Sequence, residues 1–101
     1  MKSDSVIVVI DYRSQPGKQV EARRELASLI ATVVATEPAC SGIELLHDVD
    51  DPTHFLLYER WSSREAYIGP HMRTSHITAF IAKALGLFAG PPTITFFSPV
   101  E

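Results

Sequence analysis

Phe55-Leu56-Leu57-Tyr58-Glu59-Arg60-Trp61 reads as a strand, being rich in aromatic and large apolar residues with no glycine or proline. Successive side chains in a strand point to opposite faces. Phe55, Leu57, Glu59 and Trp61 therefore share one face, and Leu56, Tyr58 and Arg60 share the other. Both faces are largely apolar, so each needs a cover. Glu59 stands between Leu57 and Trp61, where burial is expected, and a buried carboxylate needs a partner or a purpose. The following segment, Ser62 to His71, adds Tyr67 and His71. The stretch is either the floor and rim of a small-molecule pocket or a core strand closed by an amphipathic tryptophan.

The flanking sequence supplies the other elements. Val6 to Tyr12 is a strand rich in β-branched residues and apolar on both faces. Gln15-Pro16-Gly17-Lys18 is a turn. From Val20 to Thr36 the period becomes helical, with Ala22, Leu26, Leu29, Ile30 and Val33 in one stripe, and Pro38 stops the helix. Gly42 to His47 is a second strand, and Asp48 to Thr53 a polar hairpin loop. Ser62 or Ser63 caps a short helix that Gly69-Pro70 breaks. A longer helix spans Thr74 to Phe88, with Ile77, Phe80, Ile81, Ala84, Leu85 and Phe88 inward. Gly90-Pro91-Pro92 ends it, and Thr93 to Phe97 is a last strand.

The order β-α-β-β-α-β predicts an α+β, ferredoxin-like domain with an antiparallel sheet. Two helices cover one face of four strands, and the other face is also apolar. A second copy packed sheet on sheet is the simplest cover, which predicts a homodimer.

At 101 residues the chain is expected to form one domain over residues 1–101. Its net charge of −3, with no basic run, argues against nucleic acid or an anionic membrane as partner. Val6 to Ile10 is the longest apolar run, too short to span a bilayer. Met1 to Asp4 leads into the first strand without the pattern of a signal peptide. The single cysteine, Cys40, fits a reducing, cytoplasmic setting and reads as structural. No paired-cysteine, HExxH, phosphate-loop or GxSxG motif occurs, so the expectation is no metal and no cofactor.

Several motifs together resemble the antibiotic biosynthesis monooxygenase family of dimeric α/β-barrel proteins. They are Pro16-Gly17-Lys18, Glu37-Pro38-Ala39-Cys40-Ser41-Gly42, Asp50-Asp51-Pro52-Thr53, Tyr58-Glu59-Arg60-Trp61, His71, Ser75-His76 and Gly90-Pro91-Pro92. The family includes cofactor-free quinol and anthrone oxygenases, haem-degrading enzymes, isomerases and proteins of unknown role. The haem branch would place an Asn at Ile10, a Trp around Pro70 and a ligating His around Phe80, and none is present. The anthrone branch matches at Trp61 and Tyr67, but its pocket Asn falls on Leu57 and its helix Arg near Ile81. The resemblance thus implies a quinol-type monooxygenase acting on a small aromatic with molecular oxygen.

Such an enzyme needs a base, a donor for an oxyanion and a dry cavity, because the substrate itself must reduce oxygen. His71 is the candidate base, and Tyr67 and the Trp61 indole N–H are candidate donors. Leu57, Phe80 and Phe88 are candidate walls, and Glu59, His47 and His76 further pocket candidates. Glu59 is expected to pair with an arginine or a backbone N–H, and His54 to be exposed. A non-catalytic or stress-related small-molecule binder on the same dimeric scaffold is the alternative.

Overall fold

The structure, a computed structural model, describes residues 4–100. The expectation drawn from Met1 to Ser3 lies outside the described residues. The elements run β1 (Val6–Arg13), α1 (Gln19–Thr36), β2 (Cys40–Asp48), β3 (Asp51–Trp61), α2 (Arg64–Ile68), a 3₁₀ turn (His71–Arg73), α3 (Ser75–Ala84) and β4 (Thr93–Phe97). The four strands form one antiparallel sheet in the order β2-β3-β1-β4. This is the α+β, ferredoxin-like arrangement that the element order predicts.

Register places the faces. Val8 lies opposite Glu59 and Phe96, Ile10 opposite Leu57 and Ile94, and Leu45 opposite Leu57. On this inner face Val8, Ile10, Tyr12, Phe55, Leu57, Glu59 and Trp61 are buried. Ala22, Leu26 and Val33 of α1 and Ile77 and Phe80 of α3 are buried as well, and Leu29 and Ile30 pack against this core. The outer face carries Ile7, Val9, Leu56, Tyr58, Leu46 and Phe97. Leu46 and Phe97 on it are exposed.

The elements depart from expectation at two places. The hairpin between β2 and β3 is tighter, because Asp48 already pairs with Asp51. The Asp48 carboxylate accepts the backbone N–H of Asp50 at 2.8 Å, so an aspartate side chain closes the turn. The last helix ends at Ala84 and does not reach Phe88. Residues beyond it return to the end of β1, where Gln15 N–H bonds to Leu87 carbonyl and Ala89 N–H to Arg13 carbonyl, both at 2.8 Å. Ile77 and Phe80 face inward as expected, but Ile81 and Leu85 do not, being 48% and 82% exposed. Phe88 is buried through its bridge to Ser14, not through a helical stripe. Tight turns use glycine at two points: Gly17 has φ +80°, and a Cβ on Gly69 would lie 2.9 Å from the Glu65 carbonyl oxygen.

Leu57 is 1% exposed at the centre of the inner face. Its truncation to alanine is expected to cost about 2–5 kcal/mol in urea unfolding, the range for emptying a core leucine site. Val49→Thr, in a turn position that is 90% exposed, should stay within about 0.5 kcal/mol of the parent.

Candidate functional site

Helix α1 ends at Thr36, and Glu37 follows in an extended conformation with φ −113° and ψ 97°. Pro38 enforces this, since it excludes the helical region for the residue before it. The Glu37 carboxylate is thereby turned toward the segment between α2 and α3. Ser63 caps α2 by accepting the N–H of Ala66 at 3.1 Å. Gly69 and Pro70 then fold the chain into the 3₁₀ turn that carries His71, which is 3% exposed. Thr74 caps α3 and also donates its hydroxyl to the His71 carbonyl at 2.9 Å. His76 lies in the first turn of α3.

These connections bring two imidazoles to one carboxylate. His71 Nδ1 lies 2.9 and 3.0 Å from the two Glu37 oxygens, and His76 Nε2 lies 2.6 Å from Glu37 Oε2. With Nδ1–H donating to the carboxylate, Nε2 of neutral His71 is left as an acceptor, and it has no hydrogen-bond partner among the described residues. The His71 ring packs against Trp61 and Tyr67, with centroids 4.6 and 4.9 Å apart, and the Trp61 and Tyr67 rings meet edge to face at 5.5 Å.

The Trp61 indole N–H donates to Glu59 Oε1 at 2.8 Å. The expected arginine or backbone partner of Glu59 is thus replaced by its neighbour on the same strand face, two residues on. The same bond occupies the Trp61 donor, so Trp61 holds Glu59 in place and is not free to bond a ligand. Burial pushes the Glu59 carboxyl up to about 7, against the Trp61 hydrogen bond, with nearby Glu37 adding to the rise. Burial likewise pushes the Tyr67 and Tyr12 phenols above their ordinary value, with Glu59 contributing to both.

One cavity adjoins this cluster, and a second shares the Tyr12 wall with the first. An inner one of about 20 Å³ lies between sheet and helices, walled by Leu57, Glu59, Tyr67, His71 and Tyr12 together with aliphatic residues of β1, α1, β2 and α3. That is room for about one water molecule. An outer apolar cleft of about 380 Å³ is lined by Tyr12, Phe80, Ile81, Leu85, Phe88 and the Gly90-Pro91-Pro92 segment, among others. Tyr12 is a wall of both, and its ring contacts Phe80 and Phe88 at centroid distances of 6.2 and 4.7 Å.

The structure therefore gathers His71, Tyr67, Glu59, Leu57 and Trp61, and joins His76 to them through Glu37. Phe80 and Phe88 line the outer cleft instead of the inner cavity. His47 stands apart: it lies opposite Phe55, far along β3 from Trp61, is exposed, and borders a separate groove with Arg23 and Leu46. His54 is not freely exposed, because its two nitrogens bond Asp48 at 2.9 Å and Asp11 at 2.8 Å. Cys40 is buried and its thiol bonds the Gly42 carbonyl at 3.8 Å, in keeping with a structural residue. Sequence reasoning gave no role to Glu37 or Tyr12. Glu37 was visible only as part of a turn motif, and nothing local shows that the turn faces His71 34 residues later.

The family model for antibiotic biosynthesis monooxygenases matches residues 5–83. Among solved structures, a Caulobacter crescentus CB15 protein carrying the antibiotic biosynthesis monooxygenase name is 27% identical, with a TM-score of 0.87 over 98% of this chain and 92% of that one. A Mycobacterium tuberculosis protein, Rv0793, is 25% identical, with a TM-score of 0.83 over 96% of each chain. A Pseudomonas aeruginosa protein, PA3566, shares the fold at 23% identity, with a TM-score of 0.88 over 100% of this chain and 99% of that one. No curated protein matches the chain.

The buried acid gives a stability signature. Folded Glu59 keeps its proton up to about pH 7, whereas the unfolded chain releases it near 4.5. Between those values the folded state binds more protons, so the stability from a neutral Glu59 is complete below pH 4.5 and is lost as pH rises through 7. Glu59→Gln, which keeps an acceptor for Trp61, removes this titration. Its stability relative to the parent is expected to improve by up to about 3 kcal/mol between pH 4.5 and 8, measured by urea unfolding at both pH values.

Proposed function

The chain belongs to the antibiotic biosynthesis monooxygenase family, and from that premise we propose that it is a cofactor-independent monooxygenase acting on a quinol- or anthrone-like aromatic. The observation that carries the reading is His71. Its Nδ1 is held by Glu37, its Nε2 has no hydrogen-bond partner among the described residues, and its ring shares a cavity wall with Tyr67 and with an acid that burial pushes up to about 7.

Each residue then has a task. The outer cleft, apolar and about 380 Å³, takes the flat body of the substrate between Phe80, Phe88 and Tyr12. His71 Nε2 accepts the acidic proton through one water in the inner cavity. The resulting anion gives an electron to oxygen, and the radical pair recombines as a peroxide at the substrate carbon. The Tyr67 hydroxyl, which has no partner among the described residues, donates to the peroxy anion. Glu59, whose carboxyl is pushed by burial up to about 7, supplies the proton as the O–O bond breaks. The substrate as a whole loses two hydrogens and gains one oxygen atom, and the second oxygen leaves as water. All the electrons come from the substrate.

The outer sheet face supports a homodimer as the working unit. Ile7, Val9, Leu56, Tyr58, Leu46 and Phe97 lie on the side away from the helices, with Asp11, Glu44 and Arg60 among them. Burying this face against a second copy places two sheets face to face, with an interface beyond about 1,200 Å² in total. No helix among the described residues is long and apolar enough to cross a membrane.

Oxygen uptake with a reduced naphthoquinone tests the reading. Turnover is expected in colourless protein with chelator present. His71→Ala should lower it about 10²-fold or more, and Tyr67→Phe by roughly 10-fold, as for one hydrogen bond to a charged group. Light scattering should give twice the chain mass. Saturable binding of the aromatic without oxygen uptake would assign the scaffold to ligand binding instead.

A further inference from the structure

We infer that Glu37, His71 and His76 form a transition-metal site, and that a metal bound there switches off His71 as a base. The second half rests on the function proposed above; the first half does not.

One ligand atom from each residue lies within 4.8 Å of the others. The donors are two imidazole nitrogens and a carboxylate, a set that suits zinc, cobalt and other borderline divalent ions. The side chains of His71, Glu37 and His76 are only 4%, 12% and 21% exposed. Today each nitrogen faces Glu37 across a proton, at 2.9 and 2.6 Å. Ligands about 2.0–2.1 Å from a tetrahedral zinc stand roughly 3.3 Å apart. Exchange of the bridging protons for an ion thus asks the N···O distances of 2.9 and 2.6 Å to grow to roughly 3.3 Å. The supports are in place: Pro38 fixes the backbone of Glu37, the 3₁₀ turn fixes His71, and the Thr74-capped helix fixes His76.

Of the three residues, His76 is the one that lines an open groove of about 140 Å³ between α1 and α3, bordered also by Ser28, Leu29, Thr32 and Lys83. Neither Glu37 nor His76 lines the inner cavity, whereas His71 does. The metal therefore lies on the groove side of His71, reached from solvent and separated from the substrate by the imidazole ring.

That placement decides the effect. A metal on Nδ1 takes the nitrogen that now carries the proton, so the remaining proton of neutral imidazole moves to Nε2. The nitrogen that faced the chemistry as an acceptor becomes a donor. The metal inhibits by changing the tautomer, without occupying the substrate cleft.

Titration of metal-free protein with Co²⁺ alone, followed by visible absorption, tests the site without turnover. One Co²⁺ per chain with intense low-coordinate d–d bands is expected. His76→Ala and Glu37→Gln should each weaken binding more than about 100-fold, beyond the usual loss for an outer partner, while Lys83→Ala, in the same groove, retains it. Absence of saturable Co²⁺ bands in the parent, or bands unchanged in both ligand variants, overturns the site. In the oxygen-uptake assay Zn²⁺ should inhibit, chelator should restore turnover, and His76→Ala should need at least about 100-fold more Zn²⁺ for the same inhibition. Co²⁺ binding with turnover indifferent to Zn²⁺ overturns the switch. Co²⁺ binding in protein that never consumes oxygen supports the metal site and removes the oxygenase reading instead.

Discussion

The Glu37 carboxylate joins three parts of the chain that are otherwise far apart in sequence: the end of α1, the 3₁₀ turn and the start of α3. It accepts from two imidazoles, and neither has another hydrogen-bond partner among the described residues. Charge-assisted bonds of this kind are stronger than neutral ones, and truncating one partner leaves a buried group unpaired. The same contact sets chemistry. A histidine with one nitrogen fixed on a carboxylate has its tautomer chosen, so the other nitrogen is an acceptor. Folding and reactivity at His71 are thus consequences of one side chain, which is placed by the proline that follows it.

Glu59 obeys a different balance. It sits on the inner face of the central part of the sheet, between β1 and β2, and its only polar partner among the described residues is the Trp61 indole. One hydrogen bond does not offset removal of a carboxylate from water, so burial dominates and the acid titrates near 7. Glu59 and His71 then line one small cavity in opposite conditions. His71 is tied to an anion, and Glu59 is enclosed by apolar groups. Environments that treat neighbouring groups so differently divide the roles of proton acceptor and proton donor.

The fold was legible because its signals are local. Period-two runs at Val6–Tyr12 and Phe55–Trp61, the helical stripe through Leu26 and Val33, and the breaks at Pro38 and Gly69-Pro70 each act within a few residues. The long helix was overextended because its apolar spacing continues through Leu85 and Phe88, yet residues 87–89 find better backbone partners at the end of β1. Tertiary pairing overrode a helical pattern there. At the site, alternation put Glu59 and Trp61 on one face, and so within reach of each other. Alternation also put His47 on the inner side, but there it is exposed and borders a groove with Arg23 of α1. The Glu37 contacts span 34 and 39 residues. No spacing rule reaches that far, and a carboxylate beside a proline reads as a turn until the turn is seen to face His71.

Tyr12 connects the two halves of the site. Its ring rests on Phe80 and Phe88 of the outer cleft, while the same residue lines the inner cavity with His71 and Glu59. The inner cavity holds about one water, too little for any aromatic substrate. Bulk and charge are therefore sorted by position. The apolar body of a ligand finds its volume in the cleft, and only a proton or a water-sized species fits beside the base. In the reaction proposed above, the anion forms in the apolar cleft and only a water-sized species carries its proton to His71.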